Sequence, residues 1–280
     1  MGKKKVKTKV ATQREIEEGI YDMWIETDLA KDARAGQFIC IYPRDRSTLL
    51  PRPISICEAD RENGRMRIVY RVAGKGTEEF SHYGAGEDIE ILGCLGNGFP
   101  LEAAEGKRVF LMGGGIGIPP MVQLAKDLQS EGKAAEVKVI AGYRDGQLFL
   151  KEDMEKYADV YVATEDGSIG VKGNVMDVIA AKDMHADMIM ACGPMPMLRA
   201  IKQYGEEHGV EAYISLEERM ACGVGACLGC VCRTKKEDAH SHVKNARICT
   251  DGPVFLAADV DISVERSSKA HARGRFAKNF

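Results

Sequence analysis

The pattern of apolar and polar positions divides the chain into three regions. Up to about Pro100, short alternating or apolar runs are separated by Gly, Asp and Asn residues, which is typical of strands joined by turns. The runs are Gln37–Tyr42, Pro53–Cys57, Met66–Val72 and Asp88–Leu92. The first region, residues 1–102, is therefore predicted to be a small antiparallel β-barrel.

A different rhythm, of strand followed by helix, begins near Lys107. Buried apolar strands that alternate with longer helical segments indicate a parallel sheet with helical crossovers. The segments are Val109–Met112, Pro120–Gln129, Val137–Ala141, Val160–Ala163, Val175–Ala181, Met188–Ala191 and Met195–Tyr204. Residues 103–213 are therefore predicted to form an α/β nucleotide-binding domain.

The third region, residues 214–262, is rich in Gly and Cys and shows no regular periodicity before Val254. A loop-rich segment of this size does not easily bury a core of its own, so we expect a bound inorganic centre to organise it. Residues 263–280 place Arg and Lys between Ser, Ala and Gly, and are predicted to be a basic tail. The chain is thus predicted to be a multidomain protein.

Composition narrows the possible compartments and partners. A length of 280 residues, 45% of them hydrophobic and 29% charged, suits a soluble globular protein with two or three cores. The formal net charge of -3 gives no general attraction to nucleic acid. The nine cysteines are odd in number and clustered late, which argues against a disulfide framework. Without a signal-peptide pattern or a bilayer-spanning apolar run, a reducing, cytoplasmic location with no membrane partner is predicted.

The clustered cysteines carry the most specific chemistry. The spacing Cys222-x4-Cys227-x2-Cys230 is that of plant-type [2Fe–2S] sites, which also require a distant fourth cysteine. Thiolates are soft donors that suit iron–sulfur chemistry. Cys249 is predicted to be the fourth ligand and Cys232 a buried thiol, although Cys232 remains an alternative for the fourth position.

Glycines between these cysteines support an iron–sulfur site. Gly223, Gly225 and Gly229 are expected to supply tight turns, because glycine reaches positive φ and lets backbone N–H groups approach the sulfurs. A structural zinc site built on Cys227-x2-Cys230 is the alternative. Zinc sites usually pair two short knuckles, whereas three of the cysteines here lie in one glycine-rich loop, which favours iron–sulfur.

Two motifs in the barrel region suggest a flavin. Arg52-Pro53-Ile54-Ser55 lies in a predicted strand, whose alternation is expected to place Arg52 and Ile54 on one face and Ser55 on the other. Arginine can bind a pyrophosphate, and a strand hydroxyl can hydrogen-bond a flavin ring, which makes Ser55 a catalytic candidate; ordinary surface roles are the alternative. Gly74-Lys75-Gly76-Thr77 can offer N–H groups to a phosphate or can be a simple turn before a helix.

A glycine-rich loop follows the first strand of the α/β region. Its N–H groups and the dipole of the next helix can bind a dinucleotide phosphate. The candidate residues are Gly113, Gly114, Gly115 and Gly117. The loop departs from the Rossmann fingerprint, because Ile118 replaces the third glycine and Pro119–Pro120 preset the helix start.

A second loop, Cys192-Gly193-Pro194, is expected to face the same edge of the sheet, so the two loops should converge on one nucleotide. Cys192 is either a catalytic residue beside the nicotinamide or a small buried hydrophobe. Glu165 and Asp166 follow another strand at this edge and would repel a 2′-phosphate, which favours NAD over NADP. A solvated acidic turn is the alternative for these two residues.

Taken in order, these motifs resemble the ferredoxin–NADP reductase superfamily, and more closely the iron–sulfur electron-transfer subunits of class 1B dihydroorotate dehydrogenase. The resemblance covers residues 5–262. The matching motifs are Arg52-Pro-Ile-Ser-Ile, Gly74-Lys-Gly-Thr, Gly113-Gly-Gly-Ile-Gly-Ile-Pro-Pro, Cys192-Gly-Pro, the run from Leu216 to Cys227, and the run from Cys249 to Phe255. The last two are the most specific.

The resemblance implies FAD in the barrel, with Arg52 and Thr77 near its pyrophosphate and Ser55 near the isoalloxazine. It implies a [2Fe–2S] cluster between this FAD and the FMN of a separate catalytic subunit, in a heterotetramer. The implied function is an electron relay from dihydroorotate to NAD⁺ in pyrimidine biosynthesis. The alternatives are an NADH-dependent reductase subunit for a ferredoxin- or sulfide-linked partner, and a non-redox interaction module stabilised by zinc.

Overall fold

The computed structural model describes residues 3–238 and 242–263; the predicted basic tail lies outside this part of the chain apart from Ser263. The first region contains six strands. They are β1 (Lys4–Glu17), β2 (Ile20–Glu26), β3 (Phe38–Tyr42), β4 (Arg52–Asp60), β5 (Arg65–Arg71) and β6 (Asp88–Leu95). These strands close into an antiparallel barrel in the order β1-β2-β5-β4-β3-β6, as the sequence pattern predicted.

Apolar and polar residues alternate along the strands, so apolar side chains fill the barrel interior and polar side chains face solvent. The interior is packed with fully buried apolar side chains, among them Met23, Ile25, Ile39, Ile41, Ile56, Met66 and Ile68. On the outside, Lys5 and Lys7 of β1 form ion pairs with Glu90 and Asp88 of β6, at 2.8 and 2.7 Å. Helix α1 (Lys75–Ser81) buries Phe80 in the barrel core.

The second region is a mostly parallel sheet with helical crossovers. Its strands are β7 (Arg108–Gly114), β8 (Glu136–Tyr143), β9 (Asp159–Thr164), β10 (Val171–Lys172), β11 (Met188–Cys192) and β12 (Glu211–Ser215). Its helices are α2 (Pro119–Glu131), α3 (Lys151–Glu155), α4 (Val175–Ala181) and α5 (Met195–His208). None of the helices in the described ranges is long and apolar enough to cross a membrane.

The third region forms a short hairpin of β13 (Val231–Arg233) and β14 (Asn245–Arg247), followed by β15 (Val254–Leu256). β15 pairs antiparallel with β12, so the sheet order is β10-β9-β8-β7-β11-β12-β15. In this sheet β8 lies on one side of β7, and β11, which comes later in the chain, lies on the other side. The strand order therefore reverses at β7, and the carboxyl ends of β7 and β11 form a topological switch point. The predicted boundaries of the second and third domains stay a prediction, because the two regions share this sheet.

Buried polar contacts join the barrel to the α/β region. Arg67 of β5 bonds Asp22 of β2 at 2.9 and 3.0 Å, and approaches Asp153 of α3 at 3.0 Å. Gln123 of α2 is fully buried and accepts a 2.7 Å hydrogen bond from the N–H of Ala59 in β4. Buried polar groups of this kind require their partners, so these contacts specify how the two regions pack.

Candidate functional site

A cavity of about 1140 Å³ lies between the barrel and residues 215–220. One wall is formed by the beginning of β4 and the beginning of α1, and the other by the segment that follows β12. The predicted flavin-site residues on its wall are Arg52, Pro53, Ile54, Ser55, Gly74, Lys75 and Thr77. The cavity exceeds the range of about 300–1,000 Å³ that is usual for small-molecule sites, which suits a dinucleotide-sized ligand.

Arg52, Ile54 and Ser55 all line this one cavity, and the expected placement of Ser55 on the opposite face of β4 stays a prediction. The four residues from Arg52 to Ser55 are all half-buried, and full burial begins only at Ile56. This end of β4 forms the rim of the barrel, where both faces of the strand are open to the same cavity.

Arg52 packs directly on the Gly74–Thr77 turn. A Cβ added to Gly76 would lie 2.6 Å from Nε and 2.8 Å from Cζ of Arg52, so the guanidinium rests against this glycine. Arg52 also donates a hydrogen bond to the carbonyl of Leu50. The two predicted motifs therefore form one wall, and a guanidinium beside the first turn of a helix suits a phosphate.

The hydroxyl of Thr77 is used within the turn. It accepts hydrogen bonds from the N–H groups of Ala73 and Gly74, at 2.8 and 3.2 Å, and donates one to the carbonyl of Gly74, at 2.9 Å. Thr77 therefore shapes the turn, while the N–H groups of the first turn of α1 lack acceptors inside the helix and are available to a ligand.

The two nucleotide loops meet at the switch point of the sheet. A Cβ on Gly117 would lie 2.3 Å from the carbonyl oxygen of Cys192 and 2.6 Å from the nitrogen of Gly193. A Cβ on Gly114 would lie 3.0 Å from Cδ of Pro194. The backbones are therefore in direct contact, as expected for loops that converge on one nucleotide. Gly113, near the end of β7, is paired with Cys192 of β11. Gly115 has φ +52.

Cys192 is only 1% exposed and is not among the residues that line the cavity. Its side chain belongs to the core cluster of the α/β region, and burial raises the pKa of its thiol. These observations fit a small buried hydrophobe, and a catalytic role for Cys192 stays a prediction.

Glu165 and Asp166 follow β9, which is separated from β7 by β8, at the carboxyl edge of the sheet. Both are exposed. Asp166 accepts a 2.9 Å hydrogen bond from the N–H of Ser168, and the hydrogen bonds from Ser168 lower its pKa. The pair therefore presents negative charge at the edge where a nucleotide would bind, two strands away from the glycine loop.

Backbone N–H groups surround the sulfur atoms of the cysteine loop. Cys222 Sγ accepts hydrogen bonds from Val224, Ala226 and Cys227, at 3.4, 3.3 and 3.4 Å. Burial raises the pKa of Cys222, but these donors outweigh it and lower the pKa to about 6. The N–H of Gly229 donates to Cys227 Sγ at 3.4 Å. Such donors stabilise thiolates, the form in which cysteine binds metals.

The four predicted ligands lie in two neighbouring pairs. The thiol of Cys222 interacts with that of Cys227, and the thiol of Cys249 with that of Cys230. In the first pair Cys222 is half-buried and Cys227 is exposed, whereas both cysteines of the second pair are buried. Each iron of a [2Fe–2S] cluster takes two thiolates, so this donor set fits the cluster. Among the described residues, no three His, Cys, Asp or Glu side chains are placed so that they could hold one metal ion together.

Cys232 belongs to neither pair. It lies in β13 opposite Ala246 of β14 and packs against the core, and burial raises its pKa to about 11. Cys232 is therefore half-buried rather than buried as predicted, and its exclusion as a ligand stays a prediction.

The expected positive φ is found at two of the three glycines of the cysteine loop. Gly223 and Gly225 have φ +66 and +81, whereas Gly229 does not have positive φ. Leu228 takes the left-handed conformation instead, with φ +55, and its side chain is 63% exposed. The expected positive φ is therefore wrong for Gly229, but its N–H approaches a sulfur as expected and donates to Cys227.

Glu217 is a cavity residue that the sequence patterns did not reveal. It lies two residues beyond the end of β12 and lines the cavity, where it is exposed to solvent, and partial desolvation raises its pKa. Its charge is close enough to Cys192 to raise the pKa of that thiol. Its place just after a sheet strand was the available signal, but β12 itself was not predicted.

Comparison with known proteins adds to this geometry. Residues 217–261 match the iron-sulfur cluster binding domain of dihydroorotate dehydrogenase B, and residues 111–203 match the oxidoreductase NAD-binding domain. The chain is 42% identical over 254 residues to the dihydroorotate dehydrogenase B (NAD(+)) electron transfer subunit of Bacillus caldolyticus, covering 90% of this chain and 96% of the relative. The subunit of the same name from Listeria welshimeri is 41% identical over 256 residues, covering 91% and 98%.

Solved structures share the fold. The NADH-dependent reduced ferredoxin-NADP oxidoreductase, studied for flavin-based electron bifurcation, superposes with a TM-score of 0.80 at 28% identity, covering 91% of this chain and 89% of that chain. A flavohemoglobin from Malassezia yamatoensis superposes with a TM-score of 0.63 at 22% identity, covering 74% and 57%.

Proposed function

Because the chain belongs to the electron transfer subunits of dihydroorotate dehydrogenase B (NAD(+)), we propose that it carries electrons from the FMN of a separate catalytic subunit to NAD⁺. The proposed carriers are a [2Fe–2S] cluster on Cys222, Cys227, Cys230 and Cys249, and FAD in the cavity. When bound, the cluster exchanges single electrons, whereas FAD exchanges both single electrons and a hydride.

The observation that carries this proposal is that one barrel strand separates the cavity from the cysteine loop. Cys40 in β3 is paired with Pro53 of the cavity wall. Its Sγ lies 3.0 Å from where a Cβ of Gly223 would be. Burial, with smaller contributions from the nearby Cys249, Cys222 and Cys230, raises the pKa of Cys40 to about 12. In this arrangement the barrel wall would hold a flavin and a cluster close to each other.

The cysteine loop also presents a face to a partner. Cys227 is exposed, and the neighbouring apolar side chains of Val224 and Leu228 are 39% and 63% exposed. Cys230 and Cys249 are buried, and both lie close enough to Cys40 of the barrel to raise its pKa. We propose that electrons enter from the catalytic subunit at the exposed pair and leave toward the flavin at the buried pair. The assembly proposed from the family resemblance is a heterotetramer.

The site assignments are proposals of the same kind. Arg52 and the first turn of α1 would bind the FAD pyrophosphate, and Ser55 would lie near the isoalloxazine. The loops that contain Gly117 and Gly193 would hold NAD. A reducing, cytoplasmic compartment is proposed because all nine cysteines are free.

Replacing Arg52 with alanine is expected to weaken FAD binding by about 10- to 100-fold, the loss of one charge-assisted contact. Titration of the apoprotein with FAD, followed by flavin fluorescence, measures this change. Arg46→Ala is the matched control, because Arg46 is exposed on the loop that precedes β4 and is not among the cavity-lining residues. Equal FAD affinity of the Arg52 variant and the control would remove Arg52 from the site.

The chain is expected to prefer NADH over NADPH by at least about tenfold in kcat/KM, since Glu165 and Asp166 repel a 2′-phosphate. The double change Glu165→Gln and Asp166→Asn should narrow this preference by improving the use of NADPH. Asp183→Asn is the control, because Asp183 lies with Arg108 and Glu136 at the opposite edge of the sheet. Efficient use of NADPH by the unmodified protein would refute this assignment.

The function is tested by reconstitution. The purified chain is combined with an FMN-containing dihydroorotate dehydrogenase, and dihydroorotate-dependent reduction of NAD⁺ is followed at 340 nm, where NADH absorbs. The proposal requires that the two proteins copurify and that NAD⁺ is reduced only when both are present. Failure of either requirement with protein that holds both cofactors would contradict it.

A reductase subunit for another donor is the second candidate, favoured by the likeness to the NADH-dependent reduced ferredoxin-NADP oxidoreductase. Reduced ferredoxin in place of dihydroorotate and its dehydrogenase separates the two. NAD⁺ reduction with ferredoxin alone would support the second candidate.

A further inference from the structure

We propose that Asn97 of the barrel is a positioning residue for Cys249, an inference that rests on the proposed cluster site. Asn97 follows β6 and makes four hydrogen bonds to residues 251–254, a segment that begins two residues after Cys249. Its N–H donates to the carbonyl of Gly252 at 2.6 Å. Its Nδ2 donates to the carbonyls of Asp251 and Val254, at 3.2 and 2.8 Å, and its Oδ1 accepts from the N–H of Val254 at 3.0 Å.

The side-chain amide of Asn97 pairs with Val254 as a neighbouring strand would. It gives one N–H to the carbonyl of Val254 and accepts the N–H of the same residue. This pairing needs a donor and an acceptor in one side chain, which asparagine has and an ionised aspartate lacks. The contact joins the end of the barrel to the first residue of β15, at the point where the sheet meets the cysteine loop.

The contact is tight on the barrel side. Gly96 has φ +75, and a Cβ there would lie 2.4 Å from Cδ of Pro253 and 2.8 Å from the carbonyl oxygen of Gly252. Backbone therefore approaches backbone, and Asn97 is held in place by the chain that precedes it. Gln37 adds a 2.9 Å hydrogen bond from its Nε2 to the carbonyl of Gly96.

A second set of contacts holds the other side of Cys249. The guanidinium of Arg247 donates to both carboxylate oxygens of Asp251, each at 3.1 Å, and the N–H of Arg247 donates to one of them at 2.8 Å. Cys249 lies between these two residues in the sequence. The hydrogen bonds between Arg247 and Asp251 therefore join the two ends of the short segment that contains Cys249. Asn97 attaches this segment to the barrel.

This arrangement explains how a ligand that is distant in sequence is kept beside the other three. The segment 248–253 contains no helix or strand of its own. Without Asn97 it would be attached to the barrel mainly by packing, and Cys249 would spend more time away from Cys230. Iron should then be lost more readily, and the environment of the cluster should become less uniform.

The test compares three variants of the full chain with its cluster bound. Asn97→Ala removes all of the side-chain contacts. Asn97→Asp keeps the shape but turns two attractive contacts with carbonyl oxygens into repulsive ones. Gln123→Ala is the matched control, because it removes a buried amide that joins the barrel to α2. The measurements are the rate of iron transfer to a chelator, the EPR spectrum of the reduced cluster, and FAD content.

Both Asn97 variants are expected to release iron about tenfold faster, the factor for the loss of one or two net hydrogen bonds, and to show a broadened EPR signal with FAD retained. Gln123→Ala should keep the rate and the spectrum even if it unfolds at a lower temperature. A wild-type rate in Asn97→Asp would mean that Asn97 only fills space and would overturn the proposal. Equal acceleration in Gln123→Ala would overturn it too, by showing a general effect of stability.

These outcomes are separate from those of the proposed function. If Asn97 has no effect while the unmodified chain still links dihydroorotate to NAD⁺, only the positioning role fails. If the unmodified chain holds no cluster, the cluster site fails and the role of Asn97 fails with it.

Discussion

Cys249→Ser is expected to remove the visible absorption and EPR signal of the cluster while FAD stays bound. Cys249 is fully buried beside Cys230, so a solvent-exposed group cannot take its place as a ligand. Serine offers a hard oxygen in place of a soft thiolate, which iron–sulfur clusters disfavour. The cavity does not include Cys249 among its lining residues, which is why FAD should remain.

Electron transfer should follow the loss of the cluster. With the catalytic subunit present, dihydroorotate-dependent NAD⁺ reduction is expected to fall by about 100-fold or more, because the proposed relay has no other carrier between the FMN of the catalytic subunit and the FAD of this chain. NADH-dependent reduction of a dye should be kept, since it needs only FAD. Both activities are measured on the same preparation, so a general loss of folding would be visible.

Cys232→Ser is the matched control for the fourth ligand. Cys232 belongs to the same third region as Cys249 and is partly buried. It lies in β13 opposite Ala246, outside the two thiol pairs. It is expected to keep the cluster spectrum and the activity. The reverse result, with the cluster lost in Cys232→Ser and kept in Cys249→Ser, would assign the fourth position to Cys232.

Gly117→Ala is expected to impair the use of the nicotinamide nucleotide without affecting FAD or the cluster. The new Cβ would lie 2.3 Å from the carbonyl oxygen of Cys192, so the two loops at the switch point have to move apart. Overpacking of this kind costs about 1–3 kcal/mol, and a comparable loss of nucleotide binding would raise the KM for NADH by about tenfold or more. Steady-state kinetics with NADH and a dye measures the change.

Gly84→Ala is the control for this substitution. A Cβ on Gly84 would meet no atom closer than 3.9 Å, and Gly84 lies in the barrel region away from the two loops. Its KM for NADH should equal that of the unmodified protein. An unchanged KM in Gly117→Ala would show that the contact between the loops does not shape the nucleotide site.

Much of the fold follows from local sequence patterns. The strands predicted at Gln37–Tyr42, Met66–Val72 and Val109–Met112 lie within one or two residues of β3, β5 and most of β7. The unpredicted strands include β2, β10, β12, β13 and β14. β12 has only five residues and stands beside β11 through pairing that links distant parts of the chain, which leaves little local signal.

The candidate site divides in the same way. The cysteine spacing and the glycine-rich loops are local, so their chemistry could be predicted from residue types alone. Glu217 and Asn97 were not predicted. Asn97 lies in a Gly-Asn-Gly run that is typical of a turn, and its partners are 154 and 157 residues away in the sequence.

The sequence by itself determined the kinds of group that this chain can bind: four thiols with plant-type spacing, an arginine beside a glycine turn, and two loops at strand ends. The tertiary structure decided how these groups meet. It placed Ser55 in the same cavity as Arg52, put Cys40 between that cavity and the cysteine loop, and attached the loop of Cys249 to the barrel through Asn97. The physical reason is that spacing and periodicity describe contacts within a few residues, whereas these contacts depend on how separate elements pack.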